Sequence, residues 1–404
     1  MGERDMESCY DAIIVGAGPA GCAAAAELSR AGRSALLLDR ARFPRDKVCG
    51  DGLSGAALVS LDRLGLLPAV MELSPQPARR VVVSGPNGRV LEHPVPRAAP
   101  GVPWGVVVER RRVDHALFRS VSGLPGVDAA DGHALADLAI WQGRVHGVRV
   151  RTPGGAEAFV RCRTVIGADG AHSRVAKKLG LASRDPRHRG MAVRAYFTGV
   201  SGLSDAIEIH YEKAILPGYG WIFPTGPDTA NVGAGYLVSR TGNVHLGRLF
   251  RLFLENNPQA AAKLAHARME EGSLRAWPLP LGTAPGRRGT ANALLAGDAA
   301  GFVDPLTGEG VWYALESGAM AARAVADALD QDAPQAALML YERAWRRAFL
   351  WREFIPGGVL QRLASKRIFL NHVVDKAAKR RKTRSLLVGA ISHQIPKARL
   401  FIYH

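Results

Sequence analysis

Three carboxylates in this chain stand where an apolar run ends: Asp39 after Ser34-Ala-Leu-Leu-Leu, Asp169 after Val165-Ile-Gly-Ala, and Asp298 after Ala293-Leu-Leu-Ala-Gly297. A carboxylate at such a point accepts hydrogen bonds from hydroxyl groups, or simply caps a turn. Arg110, in Val106-Val-Val-Glu-Arg110, is a cation suited to a phosphate. Cys49 lies in the glycine-rich stretch 41–55, where a thiol reads either as a small buried hydrophobe or as a reactive group. Tyr219, Trp221 and Phe223 alternate ahead of Pro224, so they share one face of a strand, either as sheet core or as an aromatic wall.

The elements that must hold these groups begin at Asp11-Ala-Ile-Ile-Val-Gly16-Ala-Gly18-Pro19-Ala20-Gly21, a β-branched run ending in G-x-G-x-x-G. A small-residue helix follows to about Arg30. The first glycine permits the tight turn, the second lets backbone approach a pyrophosphate, and the third lets helix and strand pack closely. Phosphates would lie on the helix N-terminus. Asp39 falls 18 residues after Gly21, at the end of the second strand, suitably placed for a ribose hydroxyl. Strand, helix, second strand and terminal acid in order make this a dinucleotide cradle.

At 404 residues, with 47% hydrophobic and 22% charged residues, the chain is globular and long enough for two lobes. The cysteines Cys9, Cys22, Cys49 and Cys162 show no paired spacing, which argues against a disulfide scaffold, a zinc site or an iron–sulfur cluster and fits a reducing cytosol. No metal is expected. No signal peptide is read, and no apolar run approaches the ~20 residues that span a bilayer. The net charge of +17 is uneven, with ten Lys/Arg and one acid among residues 366–404.

Along the chain, a helix from about Ala56 to Leu64 follows the glycine-rich loop, and 79–95 reads as a hairpin. Segments 138–152 and 156–167 read as single strands. From 185 to 282 alternating runs predict an antiparallel sheet with a helical stretch inserted over 243–271. Apolar residues Val311, Leu315, Gly318, Ala322, Val325 and Leu329 keep helical spacing after Gly308-Glu309-Gly310, and the remainder is helical and basic.

Gly16–Gly21, Asp39, Arg110, Asp169-Gly170 and Gly297-Asp298 in this order resemble the fingerprints of the p-hydroxybenzoate-hydroxylase-like flavoproteins over about residues 9–330. Within them, Arg45-Asp-Lys-Val-Cys49-Gly-Asp-Gly-Leu53, Leu216-Pro-Gly-Tyr219-Gly-Trp221-Ile-Phe223-Pro224, Asn231-Val-Gly-Ala-Gly235 and Gly297-Asp298 through Gly310 resemble the geranylgeranyl reductase family, which includes menaquinone side-chain reductases. The resemblance implies an α/β fold: an interrupted Rossmann-like FAD domain (1–78, 106–185, 283–335), an antiparallel-sheet substrate domain (79–105, 186–282) and a helical basic region (336–404). It implies FAD held by Gly16, Gly18, Pro19, Ala20, Gly21, Asp39, Arg40, Lys47, Val48, Cys49, Gly50, Arg110, Asp169, Gly297, Asp298, Pro305, Gly308 and Gly310. Tyr219, Trp221, Phe223 and Pro224 would bind substrate, with Cys49, Tyr219 and Trp221 catalytic.

The implied reaction is saturation of isoprenoid double bonds by hydride from reduced flavin, on geranylgeranyl diphosphate, a polyprenyl lipid or a menaquinone side chain. NADPH or a ferredoxin is the implied electron donor. An unpolarised alkene also needs a proton, and a free thiol with pKa ~8.5 is a poor acid. Cys49 is therefore expected to position or relay a proton, while Tyr219 and Trp221 stabilise developing positive charge through their π faces. The alternative on the same scaffold is a flavin monooxygenase or halogenase. The halogenase pattern Trp-x-Trp-x-Ile-Pro is matched here without its first Trp or its Ile-Pro ending. The tail reads either as a solvated helical cap on the FAD domain or, over 376–404, as a peripheral membrane surface; no recognition motif points to nucleic acid. The expected location is the cytoplasm, free or at the inner face of the cell membrane.

Overall fold

The computed structural model describes residues 9–183, 185–238 and 245–401. The strand Tyr10–Val15 lies at the centre of a parallel sheet, flanked by Ala35–Leu38 and by Glu157–Gly167, with Val127–Ala130 and Ala293–Leu295 outside them. The central strands are buried, packed on helices such as Pro19–Arg30 and Val311–Asp330. The small-residue helix Pro19–Arg30 packs against Val311–Asp330 so closely that a Cβ on Gly318 would lie 2.0 Å from the Ala20 carbonyl oxygen. Carboxyl ends of four strands thus meet at one edge, carrying the Gly16–Gly18 turn, Asp39, Asp169 and Asp298. Open α/β sheets bind ligands at that edge.

The second sheet runs Arg268–Met269, Arg189–Thr198, Thr229–Leu237, Tyr219–Pro224, Ala206–His210, Arg80–Ser84, Val90–Pro94, with Arg275–Pro280 also paired to Arg189–Thr198. It is antiparallel except between Ala206–His210 and Arg80–Ser84, which are parallel. Alternation divides its faces. Ile222, Val232 and Ala234 pack on Phe250 and Phe253 of the helix Leu246–Asn256, whereas Tyr219, Trp221 and Phe223 look the other way, toward the first sheet.

Several expectations are corrected. The stretch 138–152 is not one strand but most of a hairpin, Ala134–Trp141 with Arg144–Arg151. Its turn residues Gln142 and Gly143 both take positive φ, and Gln142 carries none of the usual turn signals. The inserted helical stretch is two helices, Leu246–Asn256 and Pro258–Leu264, divided where the Asn257 side chain accepts the Ala260 N–H; residues 243–244 lie outside the described residues. The loop 41–55 contains the strand Gly52–Ser54, which joins Gly105–Val107 and Gln76–Pro77 in a small third sheet.

Two helices of the tail cover the second sheet, while His393 and Lys397 beyond them reach Thr307, Glu309 and Asp304. Val374 and Ala377, from the helix Arg367–Lys379, bury against Leu91, and Val388, from Arg381–Ile391, buries against Val81, Val83, Val95 and Ile209. Val374, Ala377 and Val388 are therefore already covered. No described helix is long and apolar enough to cross a membrane.

Candidate active site

A cavity of about 590 Å³ runs between the two sheets. Gly16 takes φ of 104°, and a Cβ there would lie 2.4 Å from the Ala168 carbonyl oxygen. Gly18 caps the following helix without a side chain, so N–H groups of its first turn stay available to an anion. Asp39 is fixed by backbone, its two carboxylate oxygens accepting from Ala17 N and Ala41 N at 2.9 Å each.

All residues expected to hold cofactor line this cavity except Gly21. Gly21 lies beneath the turn, where a Cβ would stand 1.8 Å from the Gly16 carbonyl oxygen. Three of the others already have partners within the protein. Arg110 is buried and spends its guanidinium on Asp114 at 2.8 and 3.0 Å. The cation that faces the glycine turn is Arg45, 2.9 Å from the same Asp114, 3.5 Å from Asp39, and 3.7 Å from where a Gly18 Cβ would be. Burial opposes ionisation of Asp114, yet Arg110 and Arg45 together hold its carboxyl below the ordinary value. Asp169 caps the short helix Arg174–Lys178 through the N–H groups of Arg174 and Val175, at 2.6 and 3.2 Å. Asp298 faces Lys47 at 3.6 Å, and the Lys47 ammonium sits 4.4 Å from the centre of the Trp277 ring.

The aromatic residues Tyr219, Trp221 and Phe223 form a continuous wall, with successive ring centres 6.2 and 6.4 Å apart. Pro224 does not belong to it: it pairs with Ala230 and lies outside the cavity lining. The wall sits on a strand nearly free of side chains, since Trp221 opposes Gly233 and Tyr219 opposes Gly235. A Cβ on Gly233 would lie 2.1 Å from Trp221 Cζ2. The Tyr219 hydroxyl donates to the Thr307 carbonyl, joining the second sheet to the Pro305–Gly310 loop.

Cys49 lies across from this wall, and Gly50 approaches the Phe223 ring closely, with a Cβ site 3.1 Å away. Burial pushes the Cys49 thiol above its ordinary pKa, with Arg110 opposing. Behind Cys49 lies a network that sequence reasoning left unassigned. Asn231 Nδ2 donates to the Cys49 carbonyl at 2.7 Å and to Asp51 Oδ2 at 2.8 Å, while its Oδ1 accepts from Trp221 Nε1 at 2.9 Å. Asp51, at φ of 65° and fully buried, also accepts from Tyr196 Oη at 2.7 Å and Arg110 N at 3.1 Å. Burial raises Asp51 to about 6 against the pull of Asn231 and Tyr196. One amide thus ties the cysteine loop to the aromatic wall. Asp51 and Asn231 stand inside motifs quoted above, but nothing in their spacing reveals that they meet.

The far end of the cavity is apolar, bounded by Val81, Val95, Trp104, Ile207 and Ile209 and closed by Val388 and Ile391 from the tail. The sequence carries a match to the FAD binding domain over residues 9–211 and to the geranylgeranyl reductase catalytic domain over residues 190–273. It is 36% identical over 325 residues to the menaquinone reductase of Mycobacterium tuberculosis, covering 78% of this chain and 76% of that one. The chain belongs to the geranylgeranyl reductase family. The digeranylgeranylglycerophospholipid reductase 1 of Methanococcoides burtonii is 31% identical over 352 residues, covering 85% of this chain and 81% of that one.

Among solved structures, a geranylgeranyl bacteriochlorophyll reductase-like protein from Thermoplasma acidophilum superposes with a TM-score of 0.83 at 23% identity, over 95% of this chain and 96% of the other. The flavin-dependent halogenase CmlS shares the fold at a TM-score of 0.74 and 24% identity, over 87% of this chain and 63% of its own. This member of the family is an FAD-dependent oxidoreductase. The residues present fit the cofactor: a turn that admits no Cβ, an uncapped helix start, a backbone-fixed Asp39 and Arg45 beside them.

Proposed function

We propose that this enzyme saturates carbon–carbon double bonds of an isoprenoid chain, carried by a prenyl diphosphate, a polyprenyl lipid or a menaquinone. The observation that carries this reading is the shape of the cavity. The glycine turn at one end is joined to an apolar end at Val81, Ile207 and Ile209 by way of Cys49 and the aromatic wall. A flexible hydrocarbon chain fits that end and passes the wall. Reduced FAD supplies a hydride, with NADPH or a ferredoxin as external electron donor. Tyr219 and Trp221 have their polar atoms engaged by Thr307 and Asn231, so their ring faces are what the substrate meets. Cys49 holds the alkene in register with that wall.

The test uses anaerobic, photoreduced holoenzyme mixed with geranylgeranyl diphosphate and, separately, menaquinone. Flavin reoxidation with a product heavier by one hydrogen molecule per double bond is expected from at least one. Reoxidation only by oxygen, with a hydroxylated or halogenated product, would favour the monooxygenase reading. Cys49→Ser is expected to keep its flavin spectrum and to slow the alkene-dependent step at least ~10-fold. Unchanged turnover would remove Cys49 from the chemistry. A peripheral membrane contact is part of the proposal, along the exposed stripe Trp351, Ile355 and Val359 and the exposed basic run Lys379–Lys382. Co-sedimentation with anionic vesicles measures it.

A further inference from the structure

Saturating an alkene takes a hydride and a proton, and burial makes the Cys49 thiol a weaker acid than a free one. Most other acids around the cavity are committed. Asp39 accepts two backbone N–H groups, Asp169 caps a helix, and Asp298 faces Lys47. Asp304 accepts the Leu306 and Thr307 N–H groups at 2.8 and 2.9 Å and pairs with Lys397 at 2.7 Å. Glu309 differs. One of its oxygens accepts the Trp312 N–H at 2.8 Å, while the other, Oε2, is buried without a hydrogen bond, 3.3 Å from His393 Nε2.

The C-terminal segment sets what surrounds that oxygen. The fully buried Lys397 ammonium donates to His393 Nδ1 at 3.3 Å, which leaves the ring proton on Nε2, facing Glu309 and, also at 3.3 Å, Thr307 Oγ1. Lys397 is held in turn by Asp304 and by Glu353, 3.0 Å away, which the π-helical stretch Arg346–Phe354 turns inward. Asp304, Glu353, His393 and Lys397 are the titratable groups facing Glu309 from these elements. Burial brings Glu309 to about 7 and His393 to about 3, so a neutral acid and a neutral imidazole coexist near neutrality. The loop that carries Glu309 is the one Tyr219 grips through Thr307, and Glu309 lines the same cavity as the aromatic wall.

We propose that Glu309 is the general acid that protonates the alkene, with His393 and Lys397 as positioning residues that orient it. The proposal rests on the reductase reading above. In the step the alkene π bond breaks. One carbon takes the hydride and its electron pair from the reduced cofactor, and the other takes the Glu309 proton. The carboxylate left behind is held by the His393 Nε2–H and regains a proton from water after product leaves.

Glu309→Gln keeps the Trp312 cap and removes the acid. Anaerobic reoxidation of the reduced holoenzyme by geranylgeranyl diphosphate or menaquinone is expected to slow ~100-fold or more, with reoxidation by oxygen and the flavin spectrum unchanged. In the wild type that rate falls as pH rises through about 7, because the protonated acid is lost. In Lys397→Met the midpoint moves to higher pH, since the cation favouring the charged carboxylate is gone. A midpoint left in place would overturn the positioning role. Infrared titration gives a readout without turnover: a protonated carboxyl band that titrates near neutrality in wild type and is absent from Glu309→Gln. Wild-type rates in the variant, or an unchanged band, would overturn the acid while leaving the reductase reading intact. A wild type that no prenyl compound reoxidises would overturn both.

Discussion

At the nucleotide end of the cavity, the Gly16–Gly21 turn, Asp39 and Arg45 come from about 30 consecutive residues, whereas at the other end Cys49, Tyr219, Asn231, Glu309 and His393 come from four separate stretches, Tyr219 and Asn231 lying on adjacent strands. The first end is held by backbone: N–H groups on Asp39, and glycines where no Cβ fits. The second is held by side chains that satisfy one another in a buried network. Local backbone geometry binds a constant part of the ligand. A network of side chains can be altered one residue at a time, and this is where relatives with different chemistry on this fold can diverge.

The contrast can be broken at its strongest point. Gly21→Ala forces a Cβ into the Gly16 carbonyl oxygen and is expected to abolish FAD retention, read as loss of the visible flavin spectrum in purified protein. Lys397→Met tests the opposite end. It leaves Asp304 and Glu353 buried without their cation, and is expected to lower stability by about 3–5 kcal/mol in denaturant titrations of the holoenzyme at neutral pH. The Lys397 loss shrinks in acid, because protonated carboxyls no longer need the ammonium. Smallest is Trp221→Phe, which takes the donor from Asn231 Oδ1 and is expected to lower stability by about 1–3 kcal/mol, with the flavin spectrum kept.

How much was legible follows the same division. The G-x-G-x-x-G spacing, the strand-terminal acids and the aromatic alternation are periodic or local, so the nucleotide cradle and the shared aromatic face could be read from residues alone, while the cofactor and the role of that face followed from the family resemblance. Arg45 and Arg110 were harder. Both are cations near the turn and both pair with Asp114, and which of them stands beside Gly18 depends on tertiary placement that spacing does not give. Lys397 belongs by sequence to the basic tail, which reads either as a solvated cap or as a membrane surface, yet it is fully buried. Its partners Asp304 and Glu353 are 93 and 44 residues away, and a lysine's burial is decided by such partners rather than by local pattern. The parallel pairing of Arg80–Ser84 with Ala206–His210 was hidden for the same reason, whereas the hairpin at Gln142-Gly143 was hidden because Gln142 is not a usual turn residue.

The absence of a side chain at Gly233 has a consequence for evolution and for engineering. Trp221 rests directly on that strand, so its depth is set by a position outside the cavity lining. A single methyl there would push the indole forward and narrow the passage toward the apolar end. Position 233 thus sets the width of that passage through the residue that rests on it.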